Sequence, residues 1–263
     1  MGVKIGREKK TLGVVSGKGG VGKSTVAINL AYLYTESKVE SLLIDGDIFN
    51  PSIALHLGMW HHTLGLQDVL TGKAEISEAI VAHPGSGVRV LPSALKYDRR
   101  VGMEDLKDSL KGVETYDLIL IDSPPGLSSD VEGIIRACTD AVVITTPDVP
   151  SATSAVKMLS LCQENNVRVG GVVVNRVRDK KYELHRREIE SMCDARVLCM
   201  IPEDESVPAS IAMKAPVTQC SPNSTVSESL RELAAELYNA PIRRAPMPWN
   251  FFWWLREIFR RFF

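Results

Sequence analysis

Short runs of branched apolar residues alternate along this chain with longer stretches whose apolar positions recur every three or four residues. The runs 11–16 (TLGVVS), 41–45 (SLLID), 88–92, 116–122, 141–145, 168–174 and 197–201 read as strands. The stretches 23–36, 104–111, 131–137, 151–165, 180–192 and 224–238 read as helices. Such alternation implies right-handed crossovers and a mostly parallel, twisted sheet with helices on both faces, an α/β fold. LILID and VVVN are apolar throughout, which suits strands buried on both sides. After Tyr238 the pattern breaks. NAPIRRAPMP carries three prolines and two arginines and reads as an extended tether.

Composition narrows the classes without choosing one. A chain of 263 residues can bury a large core without staples. Its formal net charge of −1 gives no global attraction to nucleic acid or membrane, so any such preference must come from a local patch. The five cysteines, at 138, 162, 193, 199 and 220, form no C-x-x-C pair. They suggest neither a disulfide framework nor a zinc site, but reduced thiols of a cytoplasmic protein. The basic start, MGVKIGREKK, is followed by no apolar signal region, and no run of eighteen apolar residues spans a bilayer.

The first predicted strand runs into GKGGVGKST, Gly17 to Thr25, and then into a helix. This is G-x-x-x-x-G-K-[ST] in its strand–loop–helix setting. Gly17, Gly19, Gly20 and Gly22 let the backbone curl around Val21 so that amides converge on a phosphate chain. The helix that follows adds its positive end. Lys23 would reach the β- and γ-phosphates, Ser24 would coordinate Mg²⁺, and Thr25 falls where an α-phosphate is contacted. Two further strands end in carboxylates. In LLIDGD, Asp45 and Asp47 point the same way on an extended segment. In LILIDSPPG, Asp122 occupies the position of a metal-shell carboxylate. Pro124, Pro125 and Gly126 follow it as a candidate switch whose Gly126 amide could sense a γ-phosphate.

The loop's second residue is also a lysine, Lys18. K-G-G-x-G-K-[ST] resembles the deviant Walker A family of P-loop ATPases, which includes the MinD and ParA ATPases, the arsenite-pump and tail-anchored-protein ATPases and nitrogenase iron protein. The resemblance covers roughly residues 11–239, with a basic extension over 1–10. It implies a Mg²⁺- and ATP-dependent homodimer in which Lys18 crosses to the partner's nucleotide. It further implies that Asp45 helps hold the metal's water shell, that Asp47 orients or deprotonates the attacking water, and that Asn50 is a switch residue. Asn175 and Arg176 (GVVVNRV), with Pro202, Glu203 and Asp204 (IPED), would by the same resemblance cradle adenine.

The branch is read from what surrounds these motifs. Iron–sulfur carriers of the family commonly use C-x-x-C, which is missing, and 60–86 is too short and polar for a helical cargo insertion. Arg176, Arg178, Lys180, Lys181, Arg186 and Arg187 leave a ParA-like, DNA-binding alternative open. The chain ends in PWNFFWWLREIFRRFF. At about 100° per residue, Phe251, Phe252, Leu255, Ile258, Phe259 and Phe262 share one face of a helix over 249–263. Asn250, Arg256, Glu257, Arg260 and Arg261 share the other. Trp249 leads the segment, Trp254 sits at the boundary, and Trp253 falls in the polar arc. This resembles the amphipathic tail by which MinD proteins reach membrane, with arginines facing anionic headgroups. A core helix and a helix that docks a partner protein are the alternatives. The expectation is a MinD-like ATPase, cytoplasmic and peripheral to the inner face of the membrane, with an activating protein partner.

Overall fold

A computed structural model describes residues 9–59, 61–94, 101–113, 115–238 and 242. The predicted tail over 249–263 and nearly all of the tether lie outside them. Eight strands form one sheet: β1 (Lys10–Val15), β2 (Ser41–Asp45), β3 (Val81–Ala82), β4 (Arg89–Leu91), β5 (Leu118–Asp122), β6 (Asp140–Thr145), β7 (Arg168–Val177) and β8 (Val197–Pro202). Their order across the sheet is β3-β4-β2-β5-β1-β6-β7-β8. Every pairing is parallel except the β3–β4 hairpin at one edge.

Alternate side chains of each strand feed opposite apolar layers, as the period of two demands. Leu12, Val14, Leu43, Leu118 and Leu120 face α1 (Lys23–Glu36), α10 (Val217–Cys220) and α11 (Thr225–Tyr238). Leu42, Ile44, Ile119 and Ile121 face the opposite layer. That layer is built from α3 (Leu66–Leu70), α5 (Leu106–Ser109), α6 (Ser129–Ala137), α7 (Val149–Glu164) and α8 (Arg186–Cys193). Short helices α2 (Ile53–His56), α4 (Ile76–Ala79) and α9 (Ser206–Ala212) complete the helices among the described residues, apart from one 3₁₀ turn.

Two predicted helices are shorter than expected. The stretch 180–192 is helical only from Arg186, because Glu183 turns back to accept the Arg178 and Lys180 amides and Asp179 takes a left-handed φ of 54°. Glu188 then accepts the His185 amide at 2.7 Å, which starts α8 at Arg186. The stretch 104–111 divides into α5 and a 3₁₀ turn, Leu110–Gly112. The helices α2, α3, α4, α9 and α10 are too short to carry a periodic signal, and β3 is two residues long.

Candidate functional site

Strand β1 lies near the middle of the sheet and delivers the phosphate loop at the strands' C-terminal edge, where open α/β sheets bind ligands. Gly20 and Gly22 adopt left-handed φ of 77° and 94°. Gly22 caps α1 with no side-chain bond, so the helix's first amides stay open to a phosphate. An ideal Cβ at Gly22 would sit 2.2 Å from Asn175 Nδ2, and one at Gly17 would sit 2.2 Å from the Ser154 carbonyl oxygen. Gly17 thus excludes a side chain against backbone, while at Gly22 a side chain would be strained by φ and would push Asn175 aside. The two loop lysines have opposite settings. Lys23 is 7% exposed, and burial lowers its pKa against the pull of the Asp122 and Asp47 carboxylates. The Lys18 side chain is 48% exposed at the rim, its Nζ 3.5 Å from Asp148 Oδ1.

The carboxylates lie on the β2–β5 side of the loop. Asp45 and Asp122 are register partners on adjacent parallel strands, and both are buried. Asp45 accepts three backbone N–H groups, from Asp47 at 3.2 Å and from Ser52 and Ile53 at 3.0 Å each. Burial and the neighbouring Asp122 push its pKa up, and these amides pull it back. It braces the loop over 46–53. Asp122 is pushed up to about 7, by burial first, with Lys23 and the nearby Ser24 hydroxyl lowering it. Ser24 is close enough to act on it electrostatically, yet neither Asp122 oxygen has a hydrogen bond of normal geometry. Two buried carboxylate oxygens without partners, beside a serine hydroxyl, are a hard oxygen donor set that fits Mg²⁺. Among the described residues no three His, Cys, Asp or Glu side chains form a ready cage. Mg²⁺ sites use one or two carboxylates with phosphate and water instead. Asp47 is nearly buried beside this set, and its Oδ1 accepts the Asn50 amide at 2.8 Å.

On the β7–β8 side lies a cavity of about 300 Å³, lined by Thr25, Val26, Asn175, Arg176, Pro202 and Asp204 among others. Asn175 donates its side-chain amide to the Val21 carbonyl at 2.7 Å, which fixes it against the phosphate loop. Arg176 has a left-handed φ of 60°. Glu203 also lines the cavity, and its carboxylate pairs with Arg178. Asp204 caps the turn to α9 by accepting the Ser206 amide at 2.8 Å. The sequence reading missed the apolar wall, Val226 and Leu230 of α11. Their signal was the buried stripe of the 224–238 helix, which looks the same whether it faces core or ligand.

The predicted switch residues are brought to the same edge. Pro125 approaches Gly19, and the Gly126 amide donates to the Ser16 carbonyl at 3.1 Å. A role for that amide as a phosphate sensor therefore requires it to leave Ser16. In the basic turn, Arg178 pairs with Glu203 and Arg186 with Glu190. Sequence reasoning also missed Asp148, which accepts the Ser151 amide at the start of α7, and Ser52, whose hydroxyl donates to Ser24 Oγ at 2.7 Å.

A glycine loop between β1 and α1, a buried lysine at its end, and carboxylates closing the two adjacent strands define a P-loop nucleotide-binding protein. The comparisons agree. A family model described as ParA: NUBPL iron-transfer P-loop NTPase matches residues 7–238. An uncharacterized ATP-binding protein of Methanocaldococcus jannaschii is 30% identical over 232 residues, 87% of this chain and 88% of the relative. The septum site-determining protein MinD of Thermotoga maritima is 28% identical over 235 residues, 85% of this chain and 86% of that one. Among solved structures, MinD of Pyrococcus horikoshii, complexed with Mg-ADP, matches with a TM-score of 0.83 at 27% identity, covering 88% of this chain and 96% of that one. The chain belongs to the ParA/MinD family of P-loop ATPases.

Proposed function

We propose that the chain is a MinD-like ATPase that binds ATP with Mg²⁺, dimerises in that state and holds membrane through residues 249–263 to position a partner complex. The observation that carries this reading is the division of labour between the two loop lysines. Lys23 is buried among carboxylates, as a phosphate-holding residue of its own site, while Lys18 stands half exposed on the rim beside Asp148, where a second copy can reach it. The α1 amides and Lys23 bind the phosphates, and Ser24 and Asp122 hold the cation, with Asp45 behind them. Mg²⁺, when bound, neutralises charge on the β- and γ-phosphates. Asp47 takes the proton of the attacking water, and the β7–β8 cavity holds the base.

Iron transfer, named in the family model's description, forms no part of this reading. All five cysteines are buried, and burial raises the thiols of Cys138, Cys162, Cys199 and Cys220. Metal ligation needs the thiolate. A ParA-like reading, in which the chain contacts DNA and the tail serves a protein, has one observation in its favour. Lys180, Lys181 and Arg187 are exposed on the turn before and into α8, and Tyr182 beside them is 78% exposed. Among the described residues no helix is long and apolar enough to cross a membrane.

Co-sedimentation with anionic vesicles and with DNA, in ADP or ATP, separates these readings. The full chain should pellet with vesicles in ATP, and a chain ending at 245 should not. Sedimentation with DNA alone, independent of the tail, would establish the ParA-like reading instead.

A further inference from the structure

We propose that Ser52 is a positioning residue for the cation end of the site, setting the direction in which Ser24 presents its oxygen. The Ser52 hydroxyl donates to Ser24 Oγ at 2.7 Å across 28 residues of sequence. A serine hydroxyl has one proton and two lone pairs. With one lone pair engaged by Ser52, the Ser24 proton must point elsewhere. The acceptor toward which it can turn is the nearby Asp122 carboxylate, on which Ser24 acts and whose two buried oxygens have no hydrogen bond of normal geometry. One lone pair of Ser24 is then left, fixed in direction, for a cation.

Ser52 can do this because its own position is determined from the other side. Its backbone N–H donates to Asp45 Oδ2 at 3.0 Å, as does that of Ile53. Asp45 is held in turn through its carbonyl, which accepts the Ser93 hydroxyl at 2.7 Å. A line of bonds thus runs from Ser93 through Asp45 and Ser52 to Ser24. It joins the loop that carries Asp47 to the metal-holding end of the phosphate loop. Water could solvate a freed Ser24 hydroxyl, but it would not fix its rotor, and a mobile ligand binds a geometrically strict cation such as Mg²⁺ more weakly.

The inference rests on the reading of the loop as a nucleotide and Mg²⁺ site, and its test separates the two. Binding of a fluorescent ADP analogue to the full chain is measured in EDTA and then over a Mg²⁺ titration. Ser52→Ala should leave the affinity in EDTA unchanged. It should raise the Mg²⁺ concentration that gives half-maximal tightening about 3- to 10-fold, the range a single hydrogen bond supports. Ser52→Thr, which keeps the hydroxyl, should return it to within about twofold. A Ser52→Ala midpoint equal to the parent's would overturn the proposal. So would an equal loss of affinity with and without Mg²⁺, the mark of a collapsed loop. If Ser52→Ala does not fold, Ser52→Cys, a much weaker donor of similar size, is held to the same outcomes. A parent chain that binds the analogue in neither condition would overturn the nucleotide reading and the Ser52 proposal together.

Discussion

Asp47 and Lys18 are the two residues on which the proposed cycle turns, and each can be tested alone. Asp47→Ala removes the carboxylate but leaves the α1 amides and Lys23 in place. It should bind ATP at close to the parent affinity while hydrolysis falls about 10²- to 10⁴-fold, the usual worth of a general base. Phosphate release assays check this, and hydrolysis at the parent rate would remove Asp47 from the mechanism. Lys18→Ala should remain monomeric in ATP by light scattering, whereas the parent should not. Gly22→Ala meets both a φ of 94° and a Cβ position 2.2 Å from Asn175 Nδ2, so it should lose nucleotide and stability together. At this scale the sequence was most informative where residues sit close along the chain. GKGGVGKST spells its loop outright, and Asp45 and Asp47 share a strand end. Ser52 and Asp148 were not legible, because their meaning lies in partners 28 and 130 positions away, Ser24 and Lys18.

Among elements, α7 and the lower end of the sheet show how polar groups fix what the apolar pattern leaves open. Asp148 accepts the Ser151 amide at 3.0 Å as the N-cap of α7 and stands beside Lys18. Asp148→Ala should therefore cost about 1 kcal/mol of stability, as loss of an N-cap does. It should also leave Lys18 without its carboxylate, and thermal melts give the first of these directly. At the other end of β6, burial raises the Asp140 pKa, but hydrogen bonds from Arg168 and Thr139 and the charge of Lys10 outweigh it, and the net shift is downward. A depressed folded pKa gives stability above the unfolded value, about 4, that is lost as pH falls through the folded one. Arg168 is 77% exposed, so Arg168→Ala should cost only about 0.5–1 kcal/mol at pH 7. That cost should shrink as the pH falls below about 4 and on through the lower folded pKa of Asp140, which a series of denaturant titrations from pH 7 into acid would detect. Elements were legible where apolar period and length agree, as in α1, α11 and the central strands. They were not where charged residues turn the chain, as at 178–185, or where a helix lasts a single turn.

For the whole molecule, the sheet order places the β2–β5 carboxylates and the β7–β8 cavity on opposite sides of one loop, and no reading of the sequence could assign those sides. The strand–helix alternation gave the fold class, but the order of strands depends on crossovers that leave no trace in composition. The candidate site was legible as motifs and became a site only when β2, β5, β7 and β8 were set around β1. Among the described residues the cavity is lined by positions no later than Leu230, so a chain ending at 245 should keep the parent's affinity for ADP, as isothermal titration would measure.

The last described helix runs away from the β7–β8 cavity. Val226 and Leu230 of α11 wall that cavity, and Thr225 donates to Asp204 beside it. At the far end Lys10 donates to the Leu237 carbonyl at 2.8 Å, and the Tyr34 and Tyr238 rings meet edge to face with centroids 5.5 Å apart. Fourteen residues make a rod about 21 Å long. Packed against the sheet along this length and bonded at both ends, α11 couples the cavity wall to the end of the domain where Lys10 and Tyr34 lie, so a displacement at either end is felt at the other.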